Sequence, residues 1–72
     1  MDERLTVDGY ELEKEWLDTE VQFVVTNAEG YVCRLVAGEA GFELSSLDRR
    51  LGNEPSAALI TRLSDFIVRH DA

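Results

Sequence analysis

The chain of 72 residues contains one cysteine, one proline, one histidine and one lysine, and no apolar run longer than the four residues Ala57–Ile60. Each scarcity excludes something. One cysteine cannot build a disulfide scaffold or a cysteine-rich zinc domain. A run of four falls short of the roughly seven apolar residues of a secretory leader and the about 20 of a membrane-spanning helix. The opening Met1-Asp2-Glu3-Arg4 also lacks a leader's basic start. The expectation is a cytoplasmic protein with no membrane partner, its thiol unpaired in a reducing compartment.

Basic charge is scarce too, with 7 Lys and Arg against 15 Asp and Glu and a net charge of −8. Residues 1–46 carry 11 of the acids and 3 of the bases, so the whole excess lies there and the remainder is neutral. The only basic doublet, Arg49-Arg50, stands in a negative surrounding field, so direct nucleic-acid binding is not expected. No repeat, low-complexity tract or Pro-, Gly- or Ser-rich linker divides the chain, and residues 1–72 read as one small domain. A hydrophobic share of 44% is too high for a disordered acidic tail. A chain this short buries only about 62% of its unfolded surface, so a lone monomer should be marginally stable.

The clearest element is at the C-terminus. Asn53, Glu54 and Pro55 offer a cap and a first-turn proline, and Leu59, Ile60, Leu63, Phe66 and Ile67 follow at three- and four-residue steps. This predicts an amphipathic helix from about residue 54 to about residue 70, with Arg62, Asp65 and Arg69 on its outer side. Upstream, residues 21–26 and 31–36 are rich in β-branched and aromatic types and flank Asn27-Ala28-Glu29-Gly30, which predicts an antiparallel hairpin. Gly38 and Gly41 bracket another turn before a short strand at Phe42-Glu43-Leu44. Ser46 can cap a helical turn holding Leu47 and Leu51 and stopped by Gly52.

Residues 10–18 admit two readings. Asp8-Gly9 followed by alternation of Tyr10, Leu12, Lys14 and Trp16 with Glu11, Glu13 and Glu15 describes two strands and a tight turn. Alternatively, Asp8 caps a short helix with Glu11 as its capping-box partner. The strand reading leads to an α+β fold: a four- to five-stranded antiparallel β-meander with the C-terminal amphipathic helix packed on one face, ββββα-like.

On the central hairpin Val21, Phe23 and Val25 should share one face, and Tyr31, Cys33 and Leu35 likewise. Val24, Val32 and Val36 lie on the other side among Gln22, Thr26 and Arg34. One helix covers one face, so those valines form a candidate dimer or partner surface, with ordinary surface scatter as the plain alternative. Trp16 reads either as core or as an anchor for a partner.

Chemistry is thinly represented. Cys33 and His70 are the single available nucleophile and base, but a mid-strand cysteine is ordinarily a small hydrophobe, and a histidine in a last helical turn suits the helix dipole. Glu11, Glu13 and Glu15, about 6.6 Å apart along one strand face, diverge too much for a metal site. With Asp18 and Glu20 they could imitate a line of phosphates and bind a basic protein. No catalytic site, metal or cofactor is implied. The expectation is a small acidic protein-interaction or regulatory module, homodimeric or bound to a protein partner. A nucleic-acid mimic is the alternative, and a thiol enzyme using Cys33 comes third.

Overall fold

Alternation every second residue and tight turns at Asp8-Gly9 and Ala28-Glu29 set the strand boundaries. The computed structural model describes residues 4–18, 20–39 and 41–71. Five strands, β1 Arg4–Val7, β2 Tyr10–Leu17, β3 Glu20–Asn27, β4 Gly30–Gly38 and β5 Gly41–Leu44, form an antiparallel sheet in chain order. Two helices follow, α1 Ser46–Leu51 and α2 Ala57–Asp71, and α2 packs on the sheet. The fold is α+β, as the sequence predicts.

The ambiguity over residues 10–18 resolves as strand. Asp8 and Gly9 take φ of 50° and 84°, the positive pair that a two-residue hairpin turn requires. Leu5 pairs with Leu12, and Leu12 with Val25. A helix there would have left both β1 and β3 without these partners. In the next hairpin, Asn27 Oδ1 accepts from the Glu29 amide at 2.8 Å and steadies the turn.

Pairing of Leu12 with Val25, Val25 with Cys33, and Leu35 with Leu44 places these side chains on one face of the sheet. There, with Phe23, they meet Leu63 and Ile67 of α2 to form the core. Leu59, Ile60 and Phe66 flank it half-buried, so the five-residue stripe read from the sequence is the packed side of the helix. On its outer side Arg69 pairs with Asp65 at 3.2 Å, whereas Arg62 reaches Asp8 in the first hairpin turn at 2.9 Å.

The helix also shields the sheet's open edge. The Phe42 amide donates to Ser64 Oγ at 2.8 Å, so an outward N–H of the edge strand is satisfied by α2. Gly41 allows that approach: a Cβ there would stand 2.7 Å from Ser64 Oγ, and φ is +140°.

Three local expectations are corrected. The cap of α1 is Ser45, whose hydroxyl accepts from the Asp48 amide, so Ser46 is already helical. The last helix starts at Ala57, not near 54, with the Ser56 hydroxyl accepting from the Leu59 amide at 3.2 Å. Asn53 is unavailable as its cap because it closes α1 instead, its amide donating to the Asp48 carbonyl at 2.9 Å beyond the left-handed Gly52. Finally, a β-bulge at Val25/Thr26 shifts the register so that Tyr31 pairs with Thr26. Tyr31 therefore leaves the face of Cys33 and Leu35 and stands 51% exposed.

Candidate functional site

The face of the sheet opposite α2 gathers both surfaces singled out in the sequence. Cα pairing sets Arg4, Glu13, Val24 and Arg34 in one row across β1 to β4, and Glu15, Gln22, Val36 and Glu43 in the next across β2 to β5. Val24 and Val36 are diagonal neighbours there, both half-buried. The acidic ladder Glu11, Glu13 and Glu15 runs along β2 on the same side. Valines and glutamates, read from the sequence as separate candidates, share one surface.

The remaining candidates lie elsewhere. Trp16 pairs with Val21, which places it on the helix side of the sheet, yet it is 65% exposed, with the Lys14 ammonium 5.1 Å from its ring centre. It is neither core nor part of the Val24 surface. Val32, beside the bulge, packs half-buried against the core cluster.

The ladder's charge is partly taken up within the chain. Arg4 Nη2 stands 3.0 Å from Glu13 and Nη1 3.9 Å from Glu11, and Gln22 Nε2 donates to Glu15 at 3.1 Å. A phosphate mimic needs its negative charges presented outward, so these contacts weaken the field that a basic partner would meet. Arg34 makes no ion pair among the described residues.

One buried polar cluster escaped the sequence reading. Asp48, 1% exposed, sits in α1 beside β4 just past the end of β5. Its Oδ2 accepts from the Arg34 amide at 2.8 Å and from the Ser45 hydroxyl at 2.7 Å. The Tyr31 hydroxyl donates to both carboxylate oxygens at 2.8 and 3.0 Å, and Asn53 Nδ2 to Oδ1 at 3.5 Å. The Ser45 amide bonds the Arg34 carbonyl at 3.0 Å, so Ser45 and Asp48 together continue the ladder that β5 leaves. Burial alone would raise the Asp48 carboxyl, but donation from Ser45, the Arg34 amide, Tyr31 and Asn53 outweighs it and holds the group below the usual carboxylate range. Every donor belongs to the chain itself, so the cluster is a lock between β4 and α1. The spacing Ser45-x-x-Asp48 was its one trace in the sequence, and nothing there pointed to Tyr31.

Cys33 is fully buried in the core, where burial first and the Asp48 charge second push its thiol up to about 11. His70 lies in the exposed last turn of α2, its ring 4.3 Å from that of Phe66. A thiol so placed is protonated at neutral pH and shielded from reagents. Native Cys33 is expected to react with a thiol-specific reagent only as fast as the domain unfolds. Labelling that is rapid and unaffected by denaturant would contradict this burial.

Among the described residues, no group of three or more His, Cys, Asp or Glu side chains could hold a metal ion, and no helix is long and apolar enough to cross a membrane. The grooves are open and shallow, such as one of about 350 Å³ between the β4–β5 turn and α2, lined by Gly41, Glu43, Ser64 and Asp65. Comparison with known proteins finds no family model that matches the chain, and neither a curated protein nor a solved structure similar to it.

Proposed function

We propose that this domain acts by binding rather than catalysis: a small acidic protein-interaction or regulatory module whose partner is a second copy of itself. The observation that carries the reading is the sheet face opposite α2, where the half-buried Val24 and Val36 sit beside Glu13, Arg34 and the buried Gln22. An antiparallel sheet can leave one face to water, but such a face is ordinarily polar. The accessible surface of 5049 Å² also exceeds the roughly 4,500 Å² expected for a compact chain of this mass. Pairing through the open face would remove part of that excess and add the burial that a domain of 72 residues has difficulty supplying alone.

Sedimentation equilibrium over the micromolar to millimolar range tests this. The expected result is a reversible monomer–dimer equilibrium that Val24→Lys shifts to monomer while leaving the far-ultraviolet circular dichroism intact. Val24 is the position of choice because Val32 packs against the core. A chain that stays monomeric throughout the range overturns the reading.

A further inference from the structure

The order of side chains across the open face points to one orientation for the second copy. We infer that two copies pack face to face about a two-fold axis running along β3, with Val24 against Val24 and Glu13 of each copy bridged to Arg34 of the other. This rests on the reading that the open face pairs with itself.

β3 is the middle strand of five, with β2 and β4 on either side. A two-fold axis parallel to β3 in the contact plane exchanges β2 with β4 and leaves β3 over itself. In the row Arg4, Glu13, Val24, Arg34, Val24 then meets its own copy, and Glu13 meets Arg34 at two symmetry-related places. In the next row Glu15 lies over Val36, and Gln22 on the axis is already buried within its own chain. An axis perpendicular to the strands instead sets each strand over itself. That stacks Glu11, Glu13 and Glu15 of one copy on the same three residues of the other, and like charges juxtaposed in an interface are strongly unfavourable. Charge complementarity therefore selects the axis along β3.

Two further observations agree. Arg34 is half-buried on this face and makes no ion pair among the described residues, so it has a charge to offer. Glu13 already accepts from Arg4 Nη2 at 3.0 Å, and a carboxylate has room for a second guanidinium. The expected area is modest. Each sheet residue covers about 16 Å², so strands of 4, 8, 8, 9 and 4 residues present roughly 500 Å² per copy and 1,000 Å² per pair, the threshold for a specific interface. Such a dimer should be weak and sensitive to salt.

Charge exchange tests the geometry. Glu13→Arg alone and Arg34→Glu alone should each weaken self-association at least about tenfold, since each sets like charges together twice. An equimolar mixture of the two variants should restore association as a heterodimer, because both contacts become opposite in sign. If the mixture stays monomeric while the wild type dimerises and Val24→Lys does not, the axis is wrong and the open-face reading stands. If the wild type itself is monomeric, that reading fails as well. Should either charge reversal unfold the domain, Glu13→Gln and Arg34→Gln replace it. Each should weaken the dimer severalfold and flatten its salt dependence, and an unchanged salt dependence would overturn the inference.

Discussion

Phe23→Ala is expected to remove a large share of the domain's stability. Phe23 is 1% exposed at the centre of the sheet, pairs with both Lys14 and Leu35, and meets Phe42 edge-to-face at 5.3 Å and 82°. Truncating a buried phenylalanine costs about 3–5 kcal/mol. A domain of 72 residues holds only about 4–11 kcal/mol in all. Urea titration followed by far-ultraviolet circular dichroism reads the loss as a collapse of the transition midpoint. The neighbouring Val24, on the open face, serves as the control, and Val24→Ala should move the midpoint far less. Equal effects at 23 and 24 would mean that the two faces have been assigned wrongly.

Asp48→Ala should destabilise the fold by about 3 kcal/mol, although no apolar core is touched. It strips a partner from the Arg34 amide and from the Ser45 and Tyr31 hydroxyls, and a hydrogen bond to a charged group contributes about 1.5–3 kcal/mol. Asp48→Asn preserves the shape and one acceptor oxygen, so its loss should be intermediate. Acid should reproduce part of the effect. The folded state holds the Asp48 carboxyl below its ordinary value of 3.8, so its stabilisation is complete above that value and disappears as pH falls through the lower folded one. At the alkaline end, loss of water around the hydroxyl of the half-exposed Tyr31 and its bond to Asp48 push that group from 10.0 up to about 12. That contribution is complete below pH 10 and disappears as pH climbs toward 12, and Tyr31→Phe should remove this alkaline dependence. Denaturation midpoints measured across pH check both limbs. An acid limb unchanged in Asp48→Asn would mean that another carboxylate governs it.

Where local chemistry and packing agreed, the sequence was sufficient. The hairpin around Asn27–Gly30 and the stripe from Leu59 to Ile67 could each be read in place because the residues that form them are adjacent in the chain. Where two local solutions were comparable, distant partners decided. Tyr10–Leu17 is a strand because β1 and β3 lie on either side of it. Asn53 is the close of α1 because Asp48 is already there to accept it, which leaves the capping of α2 to Ser56. The candidate surface shows the same division. Period-two alternation was enough to place Val24 and Val36 on one side of a hairpin and the three glutamates on one side of β2. That these are the same side depends on the register of Glu13 against Val24, which no local signal contains.

By itself, the sequence determined an acidic α+β domain of antiparallel strands closed by an amphipathic helix, because hydrophobic period and turn residues act over a few positions. Only the tertiary structure decided which of the leftover side chains meet. The bulge at Val25/Thr26 moved Tyr31 out of the core line and toward Asp48, 17 residues away, and strand order set Arg4 beside the glutamates. Both are consequences of long-range register, which is fixed by burial of the whole sheet face and not by any single segment. The few basic residues are placed by that same register, which sets Arg4 and Arg34 on either side of Glu13 and Val24 across the sheet face opposite α2.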